Sequence, residues 1–271
     1  MRRANLVVGV VLVAAVVAVA LTSFIWTPFD ATRVDPGAVL SRPSRGHLLG
    51  TDGFGIDVAS RIMVGAQTTL LVGVIAVGIA AVVGVPLGIL AGVVGGWASE
   101  LLMRATDVLY AFPALLLAIL LAAAFGASTW TAMVAIGIAT VPAFARVARA
   151  GTLQVLASDY VLAARAAGTP RLGIALRHIW PNVAPVVGVQ ASVAFGIAIL
   201  AEAALSYLGL ATPPPTPTWG RMLRDAQSFL FTNPALALWP GLAIGLAVLG
   251  FNLLGDGLRD LLDPKLREGL R

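Results

Sequence analysis

Cysteine is absent from the 271 residues, which excludes disulfides and thiolate metal sites. Lysine occurs once, at Lys265, histidine twice, at His47 and His178, and charged residues of every kind make up only 11% of the chain. The single lysine stands in Asp-Pro-Lys-Leu-Arg with no glycine-rich turn ahead of it. The G-x-x-x-x-G-K-[ST] phosphate cradle and its acidic magnesium partner are therefore missing. No Ser-His-acid or Cys-His arrangement is available, and the topology argued below puts the two histidines on opposite sides of a membrane, where they cannot share a metal. The expectation is a chain that is no enzyme by itself and holds no metal or cofactor. Its arginines are spread among loops with no basic groove or aromatic platform, which argues against nucleic acid as a partner.

What is abundant is apolar. Hydrophobic residues are 59% of the chain and the mean hydropathy is +0.93, values of a polytopic membrane protein. Windows able to cross roughly 30 Å of hydrocarbon lie near Leu6–Trp26, Ala66–Val94, Val108–Phe125, Trp130–Val147, Val183–Leu208 and Leu238–Leu254. The reading is an all-α integral membrane protein with six transmembrane helices, in which Pro86 is a place for the second to bend or end. Arg2-Arg3 and Ala18-Val19-Ala20 imitate a cleavable leader, but the apolar run continues to Trp26, so a retained span is expected. If the N-terminus is cytoplasmic, twelve basic residues lie inside against six outside. Both termini are then expected in the cytoplasm.

Ionisable groups in the spans are few, and each is a candidate because a charge in hydrocarbon is costly. Glu202 is the clearest, and it reads either as a pathway residue or as a structural carboxylate paired with a backbone donor or a neighbouring arginine. Asp107 and Arg146 stand near cytoplasmic ends, where snorkelling removes the need for a special role. Gly84 with Gly88, and Gly92 with Gly96, fit small-x-x-x-small helix packing.

The apolar pattern breaks between Ser158 and Asn182 into a polar, basic stretch. Residues 154–167 are good helix formers, and Gly168 can adopt the left-handed conformation at a helix end. Thr169 reads as an N-cap with Pro170 at the first helical position, so a second short helix should run to about Trp180. Ala163 and Ala164 leave no bulk on the first helix, so its backbone can lie in a groove on another protein. On the other side, residues 27–65 carry turn glycines, Asp52 and a capping Asp57, and Pro213–Pro217 make a stiff run before an interfacial Trp219.

Three segments together, "HLLGTDGFGIDVASRI", the loop ending in "RHIWPN" and "ILAEAALSYLGLATPPPTPTWGRML", with "DPKLR" near the end, resemble the C-type permease subunit of dipeptide, oligopeptide and nickel ABC importers. The resemblance covers residues 40 to 267. It implies the type I importer permease fold: an N-terminal helix and extracytoplasmic segment over 1–65, a permease core over 66–258 with a coupling loop at 154–181, and a cytoplasmic tail over 259–271. It also implies alternating access in a bacterial inner membrane, a homologous permease as heterodimer partner, two ATP-binding-cassette subunits, and an extracytoplasmic solute-binding protein. ATP and magnesium are expected on those ATPase subunits.

The EAA-like loop assigns ATPase docking to Asp159, Ala163, Ala164, Arg165, Gly168, Thr169, Pro170 and Arg171. Asp52, Asp57, Pro214, Pro215 and Trp219 fall to an extracytoplasmic rim. Leu162 stands where the family usually has a glutamate, and Ile56 where it often has an arginine. The structural reading of Glu202 is preferred, since "AEAALSYLGL" is a fixed string of the family while substrates vary. Spans without histidine and with one glutamate suit a peptide better than nickel. A secondary transporter should carry further midplane carboxylates, and a membrane enzyme a polar cluster at one interface.

Overall fold

The computed structural model describes residues 2–262, and the "DPKLR" segment lies outside them. Five helices are long and apolar enough to cross a membrane, and a bent pair passes the same test only when its two helices are taken together. They are α1 (Arg2–Ile25), α2 (Val58–Val94), the pair α3 (Gly96–Ala111) and α4 (Ala114–Phe125), α5 (Thr129–Leu156), α8 (Trp180–Leu208) and α10 (Ala235–Leu262). Three shorter helices, α6 (Asp159–Ala166), α7 (Arg171–Ile174) and α9 (Trp219–Ala226), lie at the two ends of the bundle. Among the described residues, β structure is limited to one isolated bridge between Thr51 and Asp57.

Small residues decide the packing. α2 lies most extensively along α5 and α1 along α10, while α8 touches α2, α5 and α10. Gly84 and Gly88 bring α2 onto the backbone of α5: a Cβ on Gly84 would stand 2.6 Å from the Val141 carbonyl oxygen, and one on Gly88 2.9 Å from the Arg149 nitrogen. Gly92 sits against Thr152 in the same row. Gly96 does not join it, because its surroundings are open and its φ of +57° marks a turn.

Several boundaries depart from expectation. α2 begins at Val58, where Asp57 caps it by accepting from the Ser60 nitrogen, and it passes Pro86 unbroken for 37 residues. Pro86 is exposed and lines the groove between α2 and the α7–α8 helix. The third crossing is not one straight helix but turns by 80° between α3 and α4. Phe112 before Pro113 is extended, at ψ 122°, as the clash of a proline ring with the preceding residue requires.

Further departures are in the elbow. The helix expected over 154–167 is divided at Ala157–Ser158 into the end of α5 and a separate α6. Pro170, not Thr169, is the N-cap of α7. α7 also does not stop, but passes through a π turn at Ala175–Ile179 into α8, giving one helix from Arg171 to Leu208. The segment between α8 and α10 likewise contains a helix, α9, that sequence reading left irregular.

Candidate functional site

The elbow is built around one residue. Gly168 has φ +81°; the Gly168 nitrogen donates to the Arg165 carbonyl and the Thr169 nitrogen to the Ala164 carbonyl, both at 3.0 Å. These are the paired bonds of a Schellman ending, which fixes the angle at which the chain leaves α6. Val161 and Ile174 are buried beneath the turn and tie α6 and α7 to the core around α5 and α8. Asp159, Leu162, Ala163, Arg165, Pro170 and Arg171 stand exposed, with Ala164 and Thr169 half-buried. The predicted docking residues thus share one small protruding surface with little bulk at its centre.

The opposite end is a pinned cap. Asp57 holds Ser60 by both its nitrogen and its hydroxyl at 2.8 Å, and its other oxygen meets His47 Nδ1 at 2.9 Å. Asp52 accepts from the Phe54 and Ile56 nitrogens at 2.8 and 2.9 Å and from the Arg61 guanidinium. Arg61 also donates to Asp225 of α9 at 2.9 Å, so one buried cation clamps the loop before α2 to α9. Trp219 packs on Gly65 and donates from Nε1 to the Ile62 carbonyl at 3.0 Å. Asp52, Asp57 and Trp219 are therefore buried, and the reading of them as exposed rim is corrected. Their hydrogen bonds close the cap from within. Pro214 and Pro215 are exposed.

Glu202 is wholly buried, but its partner is neither an arginine nor a neighbouring helix's backbone. Ser206, one turn on along α8, donates to Oε1 at 2.6 Å. The other oxygen, Oε2, and the Thr69 hydroxyl of α2 are buried without a partner. Glu202 lies beneath α9, whose Gly220 rests on the backbone of Ala203. It belongs to the seam under the cap, in the last turns of α8.

Asp107 and Arg146, given no role from sequence, form an ion pair at 2.7 Å between α3 and α5, with the Arg146 guanidinium 4.2 Å from the centre of the Tyr110 ring. The pairing across 39 residues had no local signal. His47 and His178 lie in the cap and the elbow respectively, and among the described residues no cluster of His, Asp or Glu could hold a metal.

Residues 84–268 match the family model described as the binding-protein-dependent transport system inner membrane component. The chain is 41% identical to the dipeptide transport system permease protein DppC of Alkalihalophilus pseudofirmus, over 97% of this chain and 86% of that protein. It is 44% identical to the glutathione transport system permease protein GsiD of Pectobacterium atrosepticum, over 89% and 78%. Against the protein of the same name from Escherichia coli the identity is 42%, over 89% and 80%.

Proposed function

Since this chain belongs to the family of binding-protein-dependent transport system inner membrane components, we propose that it is the transmembrane subunit of an ATP-driven importer of peptides. The observation that carries this reading is the similarity along nearly the whole chain to permeases named for a dipeptide and for glutathione, itself a small peptide. Substrate arrives on a solute-binding protein at the cap, and a homologous permease completes the path. Two ATPase subunits, which hold the ATP and magnesium, grip the elbow. Both termini lie in the cytoplasm, with the elbow, and the chain works in the bacterial inner membrane.

The elbow geometry suits the transmission step. ATPase closure would press on α6, around Asp159, Ala163, Ala164 and Arg165. Gly168, Thr169 and Pro170 pass the motion into Arg171, the first residue of an unbroken helix to Leu208. Movement of the elbow is then movement of a span, and the bundle opens to one side or the other. With Leu162 in place of the family's glutamate, the ATPase gains no salt bridge at that position.

Affinity purification through this chain should recover a second permease and ATPases, and proteoliposomes holding that complex should take up a labelled dipeptide only with ATP and a solute-binding protein. A chain that purifies alone and drives uptake from an ion gradient would establish a secondary transporter instead.

A further inference from the structure

Two cavities at the elbow end share a wall. The first, about 320 Å³, lies under the α6–α7 turn and is lined by Arg165, Thr169 and Arg171 with Val93, Leu156 and Ile174. The second, about 770 Å³, is a groove between the last turns of α2 and the α7–α8 helix, in which Arg171 is the one charged lining residue. Arg171 and Val93 line both. A cationic basin thus opens onto an apolar groove.

The geometry points to a binding site for an anionic phospholipid, with its phosphate on Arg165, Arg171 and the Thr169 hydroxyl and one acyl chain along α2. Three observations carry it. No acidic side chain lines either cavity, and among the described residues neither arginine has an ion-pair partner. Planar guanidinium donors are well matched to phosphate oxygens. The groove follows α2 from Ala81 to Val94, roughly 20 Å of helix, about the depth of one leaflet of a bilayer that is ~40–45 Å thick with its headgroups. The basin lies where headgroups would be and the groove where chains would be. Two arginines favour an anionic lipid over a zwitterionic one.

The inference goes beyond the transport reading but shares Arg165, Thr169 and Arg171 with it, so it requires that these side chains meet the lipid in the basin beneath the turn while the ATPase meets the outer face of α6. The test is native mass spectrometry of the complex purified through this chain, after exchange into mixed micelles of phosphatidylglycerol and phosphatidylcholine. Phosphatidylglycerol should be retained in roughly tenfold excess, and neither inorganic phosphate nor glycerol phosphate should displace it. The double variant Arg165→Gln, Arg171→Gln should lose the preference, and Ala175→Trp, which fills the groove without changing charge, should lose the lipid. Ala81→Leu repeats that filling from the α2 side with a smaller change. ATPase recovery is scored in the same samples, so a failed docking reading is separable from a failed lipid reading. Equal retention of the two lipids would overturn the site, as would displacement by free phosphate or retention unchanged in the arginine variant. Loss of the second permease from Ala175→Trp with phosphatidylglycerol still bound would assign the groove to the permease interface.

Discussion

At Gly168 conformation and space can be separated, because a Cβ there would meet nothing within 4 Å while φ is +81°. Within this chain any effect of substitution is therefore an effect of backbone angle. Gly168→Val should uncouple ATP hydrolysis from uptake, since a β-branched residue in the left-handed region costs about 1–2 kcal/mol and the chain would leave α6 in another direction. Gly168→Asn should retain coupling, because asparagine tolerates that conformation. Uptake per ATP hydrolysed in proteoliposomes is the measurement, and equal coupling in both variants would remove the elbow from the mechanism. Glu202 is a second such site. Glu202→Gln keeps an acceptor for Ser206 and should assemble as the wild type does, whereas Glu202→Leu leaves that hydroxyl without its partner at a cost of roughly 1–3 kcal/mol. Complex recovery after extraction compares them. A Gln variant that assembles but changes which peptides enter would make Glu202 a pathway residue.

Elements are held by contacts of very different legibility. The α2–α5 seam was readable, because Gly84 and Gly88 recur at a spacing that puts them on one face. Gly88→Ala should destabilise the protein by about 1–3 kcal/mol through overpacking, since its Cβ would stand 2.8 Å from that of Ala148. Gly78→Ala, with open space around it, should be neutral or stabilising by up to about 1 kcal/mol, and thermal unfolding in detergent separates the two. Asp57 as a cap and Gly168 as a stop were also legible, because both act within four residues. The clamp at Arg61 was not, since Asp225 lies 164 residues away and nothing local announces it. Trp219 misled for the same reason: an aromatic after a proline run suits a membrane interface as well as a core, and the Ile62 carbonyl that decides is 157 residues distant. The α3–α4 bend had a signal in Phe112-Pro113, but hydropathy averaged over a window passes straight across it.

At the scale of the molecule, the two ends are built for opposite tasks. The elbow leaves its small residues outward and its turn rigid, while the cap turns its polar residues inward, so the Asp52–Arg61–Asp225 set joins α2 and α9 as one body. Removing Arg61 leaves two carboxylates uncompensated, and truncating one member of a buried ion pair costs about 3–5 kcal/mol. Asp225 is 26% exposed, so solvent moderates its loss and Asp225→Asn should cost clearly less. If the cap is the surface that meets the solute-binding protein, this difference has a functional counterpart. Arg61→Ala should reduce stimulation of ATP hydrolysis by the loaded binding protein more than it reduces hydrolysis without it, because α9 is then no longer held against α2 when the partner presses on it. Photo-crosslinkers at exposed Leu48 and Phe231 locate the contact independently: they should capture the binding protein, and a crosslinker at Leu162 should capture the ATPase. Capture of the binding protein from Leu162 would invert the topology, and an equal loss of basal and stimulated hydrolysis in Arg61→Ala would reduce the clamp to a purely stabilising role.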